Sequence, residues 1–140
     1  MPSDNRGIRI VVVGREPSLR DTYAILFNRA GYLTATAHAE SALRLLETVK
    51  PHVLVIDQTL SKEERHWCVH SVRQRSSTIR ILAMHSAAKD CGADLAMDSR
   101  LGPEAILANV ALLIARRKPM WVWVDSVKSL LRWGASAKAG

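Results

Sequence analysis

Short apolar runs alternate with segments whose apolar residues recur at helical spacing along most of this chain. Five runs rich in β-branched or aliphatic residues predict strands, at 8–13, 32–37, 52–57, 78–85 and 93–97. Four amphipathic segments predict helices, at 17–30, 39–50, 61–75 and 103–118. Gly31 and Pro51 are predicted to end the first two helices, and Pro103 to open the last one.

Strands that alternate with helices of this length predict an α/β protein with a five-stranded parallel sheet covered on both faces. Parallel neighbours need long crossovers, which the helices supply. In such open sheets the working crevice lies at the carboxyl ends of the strands, where the strand order reverses. Asp57 ends the run "VLVID", so we expect its carboxylate in that crevice.

The alternation breaks after the fourth strand, and the chain continues beyond the last regular helix. Only "SAAKDC" separates His85 from Gly92, too few residues for an ordinary crossover helix, so the fourth helix is predicted to be shortened or missing. We therefore divide the chain into a domain at 1–118 and a C-terminal amphipathic helix with a frayed end at 119–140.

Composition narrows the classes of protein that fit. A length of 140 residues suits one core, no apolar run approaches the roughly 18 residues of a membrane span, and the polar N-terminus does not resemble a secretory signal. We expect a cytoplasmic protein whose two cysteines, Cys68 and Cys91, are free thiols. The net charge of +7 favours acidic partners and leaves nucleic acid and anionic lipid open.

Three stretches resemble the receiver domain of two-component response regulators, a doubly wound flavodoxin-like fold. They are "VVVGREPSLRDTYAILFNRAGY", "KPHVLVIDQTL" and "CGADLAM", and the resemblance covers about residues 8–117. It implies that Asp57 occupies the position of the phosphoacceptor and that the domain signals by contact with other proteins. It also implies that the protein is not itself an enzyme.

Several residues depart from the pattern of the family at the positions that carry its chemistry. Gly14 and Arg15 stand where the family has two acidic Mg²⁺ ligands, and Glu16 matches the acid that follows them. His85 stands at the hydroxyl position, with Ser86 next, and Ser99 stands at the lysine position, with Arg100 next. An arginine in place of metal ligands would repel Mg²⁺ and could pair with Asp57, so we expect no cofactor and little or no Mg²⁺ binding.

Other candidate chemistry in the sequence has a simpler explanation. His66 and His70 share a helical face, but without the carboxylate of an HExxH motif they read as a solvated pair. His85 could sense pH or hydrogen-bond Asp57 at the crevice, or its side chain could be hydrogen-bonded at a strand end with no further role. Gly14 lacks the further glycines or the lysine of a nucleotide-binding loop.

The C-terminal segment carries the strongest signal for an interaction. Read as a helix, it presents one apolar stripe, formed by Met120, Trp123, Val124, Val127, Leu130 and Leu131. The stripe could dock on its own domain over the region of the missing helix, form a partner or dimer interface, or lie on a membrane, for which it has few lysines. The candidate interface residues are Trp121, Trp123, Val127, Leu130, Leu131 and Trp133.

Three functions remain open from the sequence. The first is an atypical receiver in a phosphorelay, with Asp57 as phosphoacceptor and a histidine kinase or an output protein as partner. The second is a scaffold or dimerisation module that works without phosphorylation. The third is a basic nucleic-acid-binding module, which has charge but no recognised motif; we expect neither nucleic acid nor a membrane surface as the partner.

Overall fold

The computed structural model of the protein describes residues 7–85 and 91–116. These ranges contain five strands and four α-helices, and a short 3-10 helix, Ser99–Leu101, precedes the last α-helix. The strands are β1 (Arg9–Val13), β2 (Leu33–Ala37), β3 (Val53–Ile56), β4 (Arg80–Met84) and β5 (Leu95–Met97). The helices are α1 (Pro17–Arg29), α2 (Ala39–Val49), α3 (Lys62–Arg75) and α4 (Pro103–Arg116).

All strand pairs are parallel and the strand order is β2-β1-β3-β4-β5. The predicted α/β class and the doubly wound, five-stranded parallel sheet are therefore confirmed. The order reverses between β1 and β3, whose last paired residues are Val13 and Ile56. Gly14 and Asp57 follow these two residues directly, which places both at the switch point where such sheets bind ligands.

The core has two layers because residues on successive strand positions point to opposite faces of the sheet. On one face, Val11 and Val13 pack with residues of α2 and α3. On the other face, Ile10 and Val12 pack with residues of α1 and α4. The central strands are buried on both faces, which explains their continuous apolar runs in the sequence.

The helix ends follow local sequence signals. Gly31, with a φ of 100°, adopts the left-handed conformation that ends α1, as predicted. Ser61 caps α3 by accepting a hydrogen bond from the backbone N–H of Glu64, and the Glu64 carboxylate accepts one from the backbone N–H of Ser61. This capping box fixes the start of α3, close to the loop that follows Asp57.

Cys68 and Cys91 form no disulfide and are buried in the layer that contains α2 and α3, as expected from the sequence. Burial raises the pKa of the Cys68 thiol to about 12, so this thiol is inert at neutral pH. No helix within the described ranges is long and apolar enough to cross a membrane. The shortened fourth helix, the boundary at residue 118 and the amphipathic segment 119–140 lie outside the described residues.

Candidate functional site at the carboxyl end of the sheet

Asp57 follows β3 and is fully buried, with no exposed surface. Its backbone N–H donates to the carbonyl oxygen of Val13 at 2.9 Å, which extends the pairing of β3 with β1 by one residue. Among the described residues, Asp57 and Arg20 are the buried charged ones. A carboxylate is costly to bury unless hydrogen bonds or opposite charges compensate it, so its neighbours decide its role.

The Oδ1 atom of Asp57 is held by one neighbouring residue in the loop. The backbone N–H of Thr59 donates to Oδ1 at 2.8 Å, and the Thr59 hydroxyl donates to the same oxygen. Thr59 Oγ1 in turn accepts a hydrogen bond from the backbone N–H of Arg15 at 2.7 Å. Thr59 thus joins the loop after β1 to the loop after β3, and the bond from its backbone is the turn that aspartate commonly makes with the residue two positions on.

The Oδ2 atom of Asp57 lies against the backbone of Gly14. A Cβ atom built on Gly14 would lie 1.8 Å from this oxygen, so residue 14 cannot carry a side chain without displacing the carboxylate. Oδ2 has no hydrogen-bond partner among the described residues. Gly14 therefore provides the space into which the carboxylate folds, at the position where the receiver family has a metal ligand.

Arg15 does not pair with Asp57, and this part of the sequence-based hypothesis is wrong. Its guanidinium instead binds both carboxylate oxygens of Glu64, each at 3.1 Å, and its side chain is 63% exposed. Glu64 is held in place by the capping box of α3, so a preoriented carboxylate at the crevice rim competes for the arginine. The Arg15 guanidinium holds the pKa of Glu64 below its usual range, with a further contribution from the Ser61 backbone N–H.

Arg20 is the cation that does influence Asp57. It lies on the buried face of α1 with 8% exposure, and its guanidinium donates to the carbonyl oxygen of Gly14 at 3.2 Å. Burial raises the pKa of Asp57, the hydrogen bonds from Thr59 oppose this, and the charge of Arg20 opposes it further. The negative charge of Glu16, which is exposed, raises the Asp57 pKa slightly more.

A chain of hydrogen bonds crosses the crevice from α1 to β5 beside Asp57. The Tyr23 hydroxyl donates to Oε1 of Gln58 at 3.0 Å, and Nε2 of Gln58 donates to Oγ of Ser99 at 3.2 Å. Ser99 Oγ also lies 2.8 Å from Nε2 of His85. The chain connects the ends of β3, β4 and β5 with polar side-chain contacts.

His85 therefore contacts Ser99 and not Asp57, so the hypothesis that His85 hydrogen-bonds Asp57 is wrong. Its Nε2 atom also lies 3.3 Å from a carboxylate oxygen of Asp98, and its backbone adopts a left-handed conformation with a φ of 59°. The Arg100 side chain is 80% exposed and binds Asp98, and its guanidinium holds the pKa of Asp98 well below its usual range. Ser86 lies outside the described residues.

The donors around Asp57 do not suit Mg²⁺. Hard divalent cations need several carboxylate or carbonyl oxygens on one open site. Here residue 14 has no side chain, Arg15 presents a cation bound to Glu64, and Asp57 Oδ1 already accepts two hydrogen bonds. In the described ranges, no group of three histidine, cysteine or acidic residues could hold a metal ion. His66 and His70 are both exposed on α3, as expected of a solvated pair.

Sequence reasoning missed four residues of this site, Arg20, Tyr23, Gln58 and Thr59. The spacing of Arg20 with Tyr23 and Phe27 was a usable signal, because residues three and four apart share a helix face. Thr59 stands two positions after an aspartate that ends a strand, which is the spacing of an aspartate turn. No local signal in the sequence indicates the contact of Gln58 with Ser99, which are 41 residues apart.

Solved structures of response regulators resemble this chain over most of its length. A two-component response regulator of the LuxR family from Aurantimonas sp. SI85-9A1 shares 27% sequence identity, with 78% of this chain and 86% of that chain covered and a TM-score of 0.66. One from Clostridium difficile shares 16% identity, with coverage of 80% and 99% and a TM-score of 0.69. The chemotaxis protein CheY4 from Vibrio cholerae shares 18% identity, with coverage of 76% and 98% and a TM-score of 0.62.

No protein-family model and no curated protein matches the sequence. The similarity therefore resides mainly in the fold, and the chain has the fold of a response-regulator receiver. The resemblance drawn from the three sequence stretches is confirmed at this level.

Proposed function

We propose that this chain, which has the receiver fold, is a signalling module that acts through protein contacts and does not use phosphorylation of Asp57. The receiver fold supports a role in two-component signalling. Of the two signalling hypotheses that the sequence leaves open, the geometry of the crevice favours the phosphorylation-independent one. The protein is then a binding module and not an enzyme, and its partner is a signalling protein such as a histidine kinase or an output protein.

The packing of Asp57 against Gly14 is the observation that carries this proposal. Transfer of a phosphoryl group to a carboxylate brings anions together, and the transfer depends on cations that neutralise the developing charge. Asp57 has no exposed surface, its Oδ2 atom faces the backbone of Gly14, and its Oδ1 atom is hydrogen-bonded twice to Thr59. An incoming phosphoryl group would have to displace these contacts, and Gly14 and Arg15 provide no carboxylate to hold a metal that would compensate for its charge.

The second support is that the crevice is already closed by protein groups. The chain from Tyr23 to Ser99 and the pair of Arg15 with Glu64 connect the loops that surround Asp57. In a phosphorylated switch such loops rearrange because the phosphoryl group offers new hydrogen-bond acceptors. Here we propose that the internal contacts hold the loops in one arrangement, which the partner recognises directly.

A phosphorylation assay tests the proposal. The full chain and its Asp57→Asn variant are incubated with acetyl phosphate and Mg²⁺. Phosphorylation is measured as an increase in the mass of the intact protein that alkaline treatment removes. We expect no incorporation that depends on Asp57. Incorporation into a large fraction of the wild-type chain that disappears in Asp57→Asn would overturn the proposal and establish the phosphoacceptor hypothesis.

The binding side of the proposal needs a separate measurement. Purified histidine kinases of the same genome can be tested for binding to the full chain by titration calorimetry in solution, or by interferometry with the chain immobilised. We expect a partner whose dissociation constant is the same for the wild-type chain and for Asp57→Asn, with and without acetyl phosphate. Binding that requires both the phosphodonor and Asp57 would contradict the proposal.

A further inference from the structure

Between Ala105 and Ala115 the outward face of α4 is apolar, unlike the outward faces of the other three described helices. From Ala105 to Ala115, α4 contains one polar residue, Asn109, whose side-chain amide donates to the carbonyl oxygen of Ala105. The residues exposed on its outward side after the first turn are Ala108, Ala111, Leu112 and Ala115, which we call the outer face of α4. Leu112 is 45% exposed.

The other helices show what a solvated face looks like in this protein. Exposed charged residues occur on α1 at Asp21 and Arg29, on α2 at Glu40 and Arg44, and on α3 at Lys62, Glu63 and Arg75. A helix at the surface of a soluble domain normally carries such residues opposite its buried stripe, whereas a helix that is apolar all round is normally buried. The buried side of α4 is formed by Ile106, Val110 and Leu113. The outer face therefore lacks the polar groups that would suit it to water.

We propose that the outer face of α4 is the docking site for residues 120–131 of the same chain. This segment follows α4 after a connection of only three residues, 117–119, and connections of about 2 to 8 residues are typical of antiparallel neighbouring helices. The proposal is independent of how Asp57 functions, because it concerns α4 and the C-terminal segment and involves no residue that contacts Asp57.

The two surfaces complement each other in size and in polarity. The outer face consists mainly of alanines, which leave shallow space between neighbouring turns of α4. The predicted stripe of the segment carries large side chains, including Trp123, Val127 and Leu130, at spacings of three and four residues. At 1.5 Å per residue, a helix over 120–131 would be about 18 Å long, which exceeds the roughly 10 Å from Ala108 to Ala115.

This docking site differs from the location expected from the sequence alone, which was the region of the fourth helix. A free second copy of the chain is the competing occupant, because the same apolar face could pair with itself around a twofold axis. Chain continuity favours the intramolecular arrangement, since a tethered segment is present at a high effective concentration.

Fluorescence of one tryptophan in the full-length protein tests the proposal. Replacing Trp67, Trp121 and Trp133 by Phe leaves Trp123 as the single tryptophan. We expect blue-shifted Trp123 emission that is protected from acrylamide quenching and independent of protein concentration. Leu112→Glu should shift the emission to the red and remove most of the protection, because it places a charge in the contact.

Ile25→Glu is the matched control, because Ile25 is also a half-exposed aliphatic residue on a helix, with 54% exposure on α1. It should leave the Trp123 signal unchanged, and circular dichroism should show that both variants are folded. Three results would overturn the proposal. Trp123 could be as accessible as free N-acetyltryptophanamide; it could be protected but insensitive to Leu112→Glu; or its protection could depend on concentration together with a dimer mass in sedimentation, which would identify a second copy as the occupant.

Discussion

The Oδ2 atom of Asp57 occupies the place where a side chain on Gly14 would begin, and these two residues lie at the ends of neighbouring strands β1 and β3. In the receiver family the first of these positions supplies an acidic ligand, so the family resemblance implies a pocket between the two residues. In this protein the same space is filled by the carboxylate itself. The absence of a side chain at Gly14 and the burial of the Asp57 carboxylate are thus two parts of one packing arrangement.

Gly14→Ala should destabilise the protein through the contact with Asp57. The backbone of Gly14 is not in the left-handed region, so alanine fits its conformation and the penalty comes from overpacking. Overpacking of a core position typically costs about 1 to 3 kcal/mol of unfolding free energy, measured by urea denaturation. The same substitution in an Asp57→Ala background should cost much less; an equal cost in both backgrounds would show that the carboxylate is not the obstacle.

The stability of the protein should depend on pH through Asp57. Because burial raises its folded-state pKa above the ordinary value of 3.8, the folded state binds the proton more tightly than the unfolded state does. The contribution of Asp57 is therefore fully present below about pH 4 and is lost as pH rises through the raised pKa.

The comparison with Asp57→Asn isolates this effect, because the other carboxyl groups are common to both proteins. Relative to the wild type, Asp57→Asn should become more stable as pH rises from 4 to 7, as measured by urea denaturation at several pH values. A stability difference that stays constant over this range would mean that Asp57 ionises as easily in the folded protein as in the unfolded chain.

Arg20 and Arg15 should affect the ionisation of Asp57 differently. The buried Arg20 lowers the pKa of Asp57, so Arg20→Gln should raise that pKa, whereas Arg20→Lys should preserve much of the effect. Arg15→Gln should leave it unchanged, because the Arg15 guanidinium is bound to Glu64. NMR titration of the Asp57 carboxyl carbon measures all three variants. A larger shift in Arg15→Gln than in Arg20→Gln would show that the two arginines exchange roles in solution.

The hydrogen-bond chain across the crevice should behave as one unit. Tyr23→Phe removes the donor to Gln58, and Ser99→Ala removes the acceptor on its other side. Each change should cost about 0.5 to 1.5 kcal/mol of unfolding free energy.

The double variant should cost less than the sum of the two single changes, because Gln58 can no longer be held once either contact is gone. The control pair is Tyr23→Phe with Thr48→Ala on α2, which lies in another part of the structure and should be additive. Additivity in the Tyr23 and Ser99 pair would show that the two hydrogen bonds are independent.

The amino-acid sequence alone determined the α/β architecture and the position of Asp57 at the end of β3. Continuous apolar runs indicate strands buried on both faces of a sheet, and apolar residues at helical spacing indicate helices buried on one side. Both patterns can be recognised within short segments of the sequence. The absence of a disulfide between Cys68 and Cys91 was predictable from their spacing, and the end of α1 at Gly31 from the tolerance of glycine for positive φ.

Apart from the local turn with Thr59, only the tertiary structure decided which groups surround Asp57. Arg15 binds Glu64, 49 residues away, because the capping box of α3 holds that carboxylate at the rim, and no pattern near Arg15 encodes this competition. The burial of Arg20 and the contact of Gly14 with Asp57 likewise depend on how α1 packs and on how closely β1 approaches β3. Side chains in loops after strands have directions set by partners distant in sequence, and their chemistry follows from those partners.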